Sequence, residues 1–223
     1  MFGKEWPRIF IGYDEAQRGS WHCLTHSIME KSSLPVQFIP LYYKTVPGYG
    51  REVKEGYTQF SYLRYYIPSM CNFEGWALYQ DSDQFWRSDI AELWKLRDDK
   101  YDLMCHKSGM NQKTIRGDHM KMYAKANYHS VSLWNCEKLK HLTPTFINKA
   151  SREYLRDMNW TTDEKTGVFG AEFNHLVDVY NPNDNAKVIH FTIGGPWHPG
   201  FAKAPYSDEW RALHNRMSTA EKQ

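Results

Sequence analysis

The first forty residues of the chain alternate between two strand patterns and one helix pattern. Residues 8–12 form a short apolar run closed by glycine, and residues 36–41 form a second run after a proline. Between them, the stretch that follows residues 13–17 and runs to about Met29 predicts a helix whose sheet-facing side carries Trp21, Leu24, Ile28 and Met29. Strand, helix and strand in this order imply a right-handed crossover and a parallel pair of strands. The sequence therefore predicts a single α/β domain with a mostly parallel central sheet flanked by helices.

An acidic pair directly follows a third strand pattern. Residues 76–80 form a mostly apolar run that predicts a buried strand, and Asp81, Ser82 and Asp83 come next. In α/β sheets, ligands bind in the crevice outside the carboxyl ends of the strands. Two carboxylates at that place suit Mg²⁺ or Mn²⁺, and such an ion would neutralise a diphosphate. The pair predicts a nucleotide-linked substrate, and its alternative is a turn or a helix cap, where chance D-x-D sequences are common.

Two other strand ends are expected at the same edge of the sheet. Gly12, Tyr13 and Asp14 end the first strand, where a base or ribose would lie against exposed backbone and the Tyr13 ring. His190 lies at the end of the last predicted strand, 187–191, and its imidazole would complete a metal site with the acidic pair. The alternative for this histidine is a hydrogen-bonded structural role. The convergence of these ends assumes that the strands are parallel.

A helix is predicted before the acidic pair, from an N-cap at Thr58 to an end near Pro68. It carries Arg64, whose planar guanidinium would reach the crevice and contact a diphosphate. The alternative is a surface arginine on an amphipathic helix.

The rest of the chain predicts shorter elements. They are a short helix around 89–96, strands at 101–105 and 131–134, an amphipathic helix over 137–158 and a helical turn at 171–176. The sequence has no repeat, low-complexity tract or linker that would divide the domain.

The composition limits the kinds of partner and compartment. The net charge is only +2, which gives no general attraction to nucleic acid or to an acidic membrane. Aromatic residues make up 16% of the chain, which fits a large core or stacking against sugar rings. The four cysteines are widely spread, so buried free thiols are expected. With no apolar run of about 20 residues and no signal-peptide pattern at the start, we expect a soluble, cytoplasmic protein without a transmembrane segment.

Five short motifs occur in the order found in one family of enzymes. Residues 58–68 and 77–83 resemble the patterns T-x-x-x-x-x-R-x-x-x-P and L-Y-x-D-x-D. Residues 130–135, 190–191 and 195–197 are similar to the N-[ST]-G-V-x-L-[IL]-N, H-[FY] and K-P-W elements, although the first lacks its glycine and the last its lysine. Together these motifs resemble the glycogenin-like and lipopolysaccharide-galactosyltransferase-like glycosyltransferases of family 8, which have the GT-A fold.

The resemblance implies a metal-dependent enzyme that transfers a hexose from a nucleotide diphosphate sugar, usually UDP-linked, with retention of anomeric configuration. It implies Mn²⁺, or Mg²⁺, held by Asp81, Asp83 and His190. Arg64 would act as a catalytic residue that touches the donor phosphates or sugar. The further candidates for donor binding are Gly12, Tyr13, Asp14, Ser82, Gly195 and Trp197.

Two departures from the family pattern concern single residues. Gly195 replaces the lysine of K-P-W, so one phosphate contact is missing or is supplied by Lys203 or His198. The D-Q-x-x-x-N segment appears only as residues 170–175, where Glu172 would replace the sugar-binding carboxylate as a catalytic residue. The alternative for Glu172 is a solvated helix charge.

The two halves of the domain are expected to bind different substrates. Residues 1–106 would bind the nucleotide sugar, and residues 107–223 would bind the acceptor and provide a C-terminal metal and lid segment. The stretches 44–57 and 194–201 would close over the donor and exclude water, and the alternative is a tail packed permanently on the core. The acceptor is expected to be a glycan, a lipid-linked molecule or a protein, and no nucleic-acid partner is expected.

Two other functions remain open from the sequence. A metal-dependent phosphohydrolase or nuclease would also use Asp81 and Asp83 to activate water, although such enzymes usually carry more clustered acidic and histidine ligands. A catalytically silent sugar-binding module would fit the aromatic excess and the imperfect late motifs. The sugar, the acceptor and the oligomeric state also stay open.

Overall fold

The structure is a computed structural model that describes residues 6–52, 60–108, 125 and 128–219. Its strands are β1 (Arg8–Gly12), β2 (Gln37–Leu41), β3 (Trp76–Gln80), β4 (Gln84–Trp86), β5 (Leu103–Cys105), β6 (Val131–Asn135), β7 (Thr166–Val168), β8 (His175–Leu176) and β9 (Val188–His190). Its α-helices are α1 (Arg18–Met29), α2 (Ile67–Met70), α3 (Ala91–Trp94), α4 (Pro144–Lys149), α5 (Arg152–Arg156) and α6 (Ser207–Thr219). Short 3₁₀ turns occupy Glu15–Gln17, Leu63–Tyr66, Cys136–Lys138, Ala171–Phe173 and Pro199–Phe201.

A six-stranded sheet in the order β2–β1–β3–β6–β5–β7 forms the centre of the domain. Strand β1 is parallel to β2 and β3, and β5 is parallel to β7. Strand β6 is antiparallel to both β3 and β5, so the other five strands all point the same way. The predicted β1–α1–β2 crossover, the strands β5 and β6, and the mostly parallel sheet with flanking helices are confirmed.

Side chains of the central strands alternate between two packed faces. Phe10 and Tyr79 belong to a buried cluster on one face, together with Trp134 of β6. Ile9 and Leu78 belong to a second cluster on the other face, where α1 and α3 pack. Because both faces are covered, these strands are apolar along most of their length instead of alternating with polar residues.

A smaller sheet in the order β4–β9–β8 continues from the end of β3. Strand β4 follows the acidic pair at once and runs antiparallel to β9, with Gln84 opposite His190. Strand β8 is parallel to β9. The expectation that the last strand ends beside the other parallel strands is therefore wrong, because β9 lies in the smaller sheet. His190 still lies beside the acidic pair, because β9 pairs with β4, which directly follows that pair.

The prediction of one helix over 137–158 is wrong. After a 3₁₀ turn the chain forms α4 and α5, and each begins at its own side-chain cap. Thr143 accepts a hydrogen bond from the Phe146 N–H, and Ser151 accepts one from the Tyr154 N–H. Each cap satisfies a backbone donor at a new helix start, so the amphipathic pattern is divided between two short helices.

Three other predicted elements differ in detail. Thr58 lies outside the described residues, and Pro68 lies in the first turn of α2 instead of at a helix end. At that position its missing N–H costs no hydrogen bond. The stretch 171–176 is one 3₁₀ turn followed by β8. Helix α1 has the predicted inner face, except that Met29 at its last position is exposed.

All four cysteines are free and buried, as the sequence predicts. Cys71, Cys105 and Cys136 belong to the same apolar cluster on one face of the central sheet, so they pack as small apolar residues. In the part of the chain that the structure describes, no helix has both the length and the apolar character that a bilayer span requires.

Gly167→Ala should destabilise the domain, because β7 lies against an aromatic ring. A Cβ at Gly167 would lie 2.4 Å from the Tyr101 ring and 2.8 Å from Met104 Cγ. We expect the free energy of unfolding in urea to fall by about 1–3 kcal/mol. Gly19→Ala in α1 is the control, because outside its chain neighbours and the nearby backbone of its own helix no described atom lies within 4 Å of its Cβ. Alanine also stabilises a helix relative to glycine by up to about 1 kcal/mol. Equal effects at the two glycines would contradict this packing of β7.

Candidate functional site

The acidic pair lies on a turn that both sheets hold in place. Asp81 donates its backbone N–H to the Ser130 carbonyl at 2.9 Å, because β6 begins beside the end of β3. Phe191 donates its backbone N–H to the Asp83 carbonyl at 2.9 Å, because β9 pairs with β4. Ser82 between the two carboxylates is buried. The backbone of the acidic turn is therefore fixed at both ends.

Asp81, Asp83 and His190 form one compact group of potential metal ligands, called the metal group below. Each residue offers one ligand atom, and these atoms lie within 4.8 Å of one another. His190 Nε2 is 3.3 Å from Asp83 Oδ1. The structure thus brings together the three residues that the sequence predicts as metal ligands.

The hydrogen bonds of His190 favour a cation in the metal group. Its Nδ1 lies 2.9 Å from Asn174 Oδ1, and the Asn174 amide nitrogen donates to Ser130 Oγ at 3.1 Å. Since the amide oxygen accepts, Nδ1 carries a proton, and Nε2 faces Asp83. Within the described part of the chain, no donor reaches the buried Asp83 Oδ1. A cation between Nε2 and the Asp83 carboxylate would contact both, and two carboxylates with one imidazole fit Mn²⁺.

Arg64 lies beside the acidic pair, in the 3₁₀ turn before α2. Its Nη2 donates to Asp81 Oδ1 at 2.9 Å. The guanidinium carbon is 4.4 Å from the centre of the Tyr79 ring, and the Tyr79 hydroxyl donates to the same Asp81 oxygen at 2.5 Å. The side chains of Arg64 and Asp81 are only 12% and 17% exposed. The alternative of a surface arginine is therefore wrong.

Burial and charge act in opposite directions on this ion pair. Burial raises the pKa of Asp81, and the positive charge of Arg64 offsets only part of that effect. Burial lowers the pKa of Arg64, but Asp81 and the neighbouring tyrosines together raise it overall, so the guanidinium stays charged. Removal of either partner would leave the other charge without compensation in a poorly hydrated place.

The donor-binding candidates at the end of β1 differ from expectation in one respect. Gly12 is buried, and atoms of the Phe60 ring lie 2.4 Å from the point where its Cβ would be. The expectation of exposed backbone at Gly12 is wrong, because this ring covers it. Tyr13 packs edge-on against two aromatic rings, and Asp14 caps the 3₁₀ turn that follows it. Both are half-buried, and their contact with a donor stays a prediction.

The tail after β9 packs on the core through its aromatic residues. Trp197 lies over the α-carbon of Gly195. Its ring centre is 5.8 Å from that of Phe191 and 5.2 Å from that of Trp210. Phe201 packs in the same cluster. These contacts favour the packed-tail alternative over a mobile lid.

The second stretch expected to close over the donor, 44–57, is described only as far as residue 52. Asn148 of α4 accepts a hydrogen bond from the Gly50 N–H and donates one to the Gly48 carbonyl. The described part of this stretch is therefore attached to α4.

Glu172 does not join the metal group directly. It lies in a 3₁₀ turn with its carboxylate folded over Gly170. Among the described residues, no hydrogen bond or ion pair links this carboxylate to the acidic pair or to Arg64. Asn174, two residues later, reaches the metal group through His190. The catalytic role of Glu172 stays a prediction.

The sequence patterns assign no role to Asn174, Tyr79 and Ser130, which hold the side chains of the site in place. Asn174 ends the D-Q-x-x-x-N-like segment and Tyr79 lies inside the L-Y-x-D-x-D-like one, so the motifs contain a signal for both. Ser130 directly precedes β6, and its place beside Asp81 follows only from the pairing of the strands.

Comparison with known proteins shows the family of the chain. No protein-family model matches it. Protein CDI of Arabidopsis thaliana is 31% identical to it over 217 residues, which cover 91% of this chain and 84% of that protein. The chain therefore belongs to the same family as Protein CDI.

Solved glycosyltransferase structures have the same fold. Galactosyltransferase LgtC, in complex with donor and acceptor sugar analogs, is 14% identical with a TM-score of 0.61, over 94% of this chain and 95% of that chain. The bifunctional glycosyltransferase WbbM is 15% identical with a TM-score of 0.64, over 96% of this chain and 52% of that chain. GlyE of Streptococcus pneumoniae TIGR4 is 16% identical with a TM-score of 0.63, over 94% of this chain and 60% of that chain. The chain thus has the GT-A fold that its family 8-like motifs predict, and it spans little more than half the length of WbbM and GlyE.

Arg64→Met should lower the free energy of unfolding by about 3 kcal/mol, because it leaves Asp81 charged and without its partner. The double variant Arg64→Met with Asp81→Asn should lose less than the sum of the two single changes, since the orphaned charge is gone. Urea unfolding of all four proteins measures this coupling. Lys100→Met is the control for an exposed pair with Asp98 and should leave the free energy of unfolding nearly unchanged. Strictly additive losses at Arg64 and Asp81 would contradict the pairing.

Proposed function

We propose that this chain is a metal-dependent glycosyltransferase. It transfers a hexose from a nucleotide diphosphate sugar, with UDP as the nucleotide, to an acceptor hydroxyl. The observation that carries the proposal is the meeting of Asp81, Asp83, His190 and Arg64 at the carboxyl end of β3. This edge is where α/β sheets bind ligands, and the fold is the one found in the sugar transferases described above.

The metal group would hold the ion, with Mn²⁺ proposed from its oxygen and nitrogen donors and Mg²⁺ as the alternative. When bound, the ion supplies positive charge that stabilises the departing diphosphate. Asn174 keeps the proton of His190 on Nδ1, so that Nε2 stays available as a ligand. Ser82 would contact the donor, since its buried Oγ has no hydrogen-bond partner among the described residues.

Arg64 provides a fixed positive charge at the same edge. Its Nη2 is bonded to Asp81, but its buried Nε has no acceptor among the described residues. A phosphate oxygen of the donor would satisfy that group with a charge-assisted hydrogen bond. Such a bond becomes stronger as negative charge develops on the leaving diphosphate, so it favours the transition state.

Transfer breaks the bond between the anomeric carbon and the diphosphate oxygen, and the electron pair leaves with the diphosphate. The acceptor oxygen forms the new glycosidic bond and loses its proton. We also propose that the transfer retains the anomeric configuration of the sugar. This part of the proposal rests on the resemblance to family 8. If the acceptor attacks the face that the diphosphate leaves, a departing phosphate oxygen is close enough to take the proton.

The remaining donor contacts belong to the same proposal. Tyr13 and Asp14 would face the nucleotide, whereas Gly195 and Trp197 would approach the diphosphate from the tail. Glu172 would contact the transferred sugar after a change of side-chain position. Residues before 107 would then bind the donor, and residues from 107 onward would bind the acceptor.

A catalytically silent sugar-binding module is the second candidate function. It is favoured by the glycine at position 195 in place of lysine and by the Glu172 carboxylate, which among the described residues has no hydrogen bond or ion pair to the metal group. A phosphohydrolase or nuclease has less support, since among the described residues the metal group alone gathers three such ligands.

Asp83→Asn should remove most of the Mn²⁺-dependent part of UDP binding, because it replaces the negative charge of one proposed ligand with a neutral amide. We expect the affinity for UDP with Mn²⁺ to fall by at least about 100-fold in calorimetry. Asp98→Asn, at an exposed carboxylate paired with Lys100, is the control and should bind as the unmodified protein does. Equal UDP affinity in the Asp83 variant, and in the unmodified protein with a chelator, would sink the proposal.

Slow release of free sugar from a UDP-hexose should require Mn²⁺ and should disappear in Asp83→Asn. Water replaces the acceptor in this assay, so it needs no knowledge of the natural acceptor. Cleavage of a phosphodiester without sugar release would indicate the phosphohydrolase. Binding of UDP-hexose without either reaction would indicate the silent module.

A further inference from the structure

A cleft of about 210 Å³ opens beside Asp81, where the two halves of the domain meet. Half of its described lining residues lie between positions 61 and 81, and the other half lie between positions 125 and 156. The first group belongs to the half proposed to bind the nucleotide sugar, and the second belongs to the half proposed to bind the acceptor. A transferred hexose is bonded first to the donor and then to the acceptor, so both halves must share its site.

The size of the cleft suits one sugar ring. Sites that enclose a whole small-molecule ligand commonly measure about 300–1,000 Å³. A cleft of about 210 Å³ would therefore hold only part of a nucleotide sugar. Arg64 and Asp81 line it, so the part next to the diphosphate, which is the hexose, would lie there.

His129 lines this cleft beside the acidic pair. It lies two residues before β6 and directly before Ser130, whose carbonyl accepts the Asp81 N–H. The carbonyl of His129 itself accepts a hydrogen bond from Ser132 Oγ at 3.2 Å. The backbone of His129 is therefore fixed to the same strand that holds Asp81.

The imidazole of His129 is held between two aromatic rings. Its ring centre is 6.2 Å from that of Trp160, and the two ring planes are only 28° apart. On another side the Tyr65 ring meets it edge-on, with the ring centres 5.7 Å apart. His129 is only 6% exposed. Packing therefore sets the position of this imidazole.

The Nε2 atom of His129 is buried and has no hydrogen-bond partner among the described residues. Leaving a buried polar atom without a partner costs free energy, so such an atom in a folded protein requires an explanation, and a functional role is one. Burial lowers the pKa of His129 well below its usual range, and the positive charges of Arg64 and Lys125 lower it further. The imidazole is therefore neutral and offers a ligand one N–H and one lone pair.

A neutral imidazole at this position matches a hydroxyl group better than it matches a phosphate. A hydroxyl can both donate and accept a hydrogen bond, whereas an ionised phosphate oxygen only accepts and binds more strongly to a charged donor. Arg64 is such a donor, and it lies in the same lining. The group that His129 suits is therefore the sugar and not the diphosphate.

We propose that His129 binds a hydroxyl group of the transferred hexose and contributes to the choice of sugar. The inference deepens the proposed transferase function and rests on it. The hydroxyl would supply the partner that Nε2 lacks, and the rings of Trp160 and Tyr65 would set the direction of the hydrogen bond. Because this bond is made to the sugar, it would strengthen the binding of a UDP-hexose but not the binding of UDP.

The test compares the affinities for UDP, UDP-glucose and UDP-galactose, each with Mn²⁺, in calorimetry. His129→Phe keeps an aromatic ring against Trp160 but removes both ring nitrogens. For the hexose that the unmodified protein binds better, the ratio of the UDP-hexose affinity to the UDP affinity should fall about tenfold in this variant. The affinity for UDP itself should stay nearly unchanged.

Three further variants separate the hydrogen bond from packing. His129→Gln should keep more of the hexose affinity than His129→Phe, because an amide also donates and accepts hydrogen bonds. His141→Gln is the matched control, since His141 Nε2 lies 2.9 Å from the Trp160 carbonyl but His141 is outside the described lining of the cleft. It should keep the full ratio. Circular dichroism checks folding, and His129→Leu replaces His129→Phe if the larger ring does not fit.

An unchanged affinity ratio in His129→Phe would overturn the inference. A loss of UDP affinity as large as the loss of UDP-hexose affinity, or an equal fall of the ratio in His141→Gln, would also overturn it, because either result indicates a general structural effect. If the unmodified protein shows no Mn²⁺-dependent binding of UDP, the transferase proposal fails and the inference fails with it. Binding of UDP together with an unchanged ratio removes the inference alone, so the two failures can be told apart.

Discussion

The antiparallel pairing of β4 with β9 is the constraint on which the rest of the site depends. Strand β3 brings the acidic pair to the edge of the central sheet, but His190 comes about a hundred residues later in the chain. The register that sets Gln84 opposite His190 carries the imidazole to Asp83, and the apolar cluster behind the small sheet includes Trp210 of α6. Since the ligands share one hydrogen-bonded framework, a packing change far from the metal group would alter their spacing.

The two carboxylates of the metal group have different partners. Asp81 is compensated by Arg64 and Tyr79, whereas Asp83 Oδ1 lies 3.3 Å from His190 Nε2 and has no hydrogen-bond partner among the described residues. A divalent ion would add two positive charges to the one on Arg64, against two carboxylates. The resulting excess of positive charge is what a diphosphate requires, and without the ion the carboxylates would repel it. In the proposed function, donor binding would thus depend on the metal.

Sequence patterns predicted the ligands better than they predicted how the fold assembles them. Short motifs contain the four residues of the site, and their residue types alone indicate binding of a metal ion and a phosphate. The structure brings these residues together: Asp81, Asp83, Arg64 and His190. The place of β9 in a second sheet depends on strand pairing across most of the chain, which no local pattern records. The cover over Gly12 likewise comes from a ring far along the chain. The break between α4 and α5 occurs at side-chain caps, which the amphipathic pattern over 137–158 does not separate, and the sequence analysis makes no prediction for α6.

The charges around Asp81 would make recognition of the proposed donor depend on two sources of positive charge. Asp83 lies beside Asp81 in the metal group, and two carboxylates repel an anion until a cation is bound. Arg64 pairs with Asp81 and provides a fixed positive charge at the same edge. Arg64 offsets only one of the two carboxylates, so the proposed ion would be needed before the edge attracts a diphosphate.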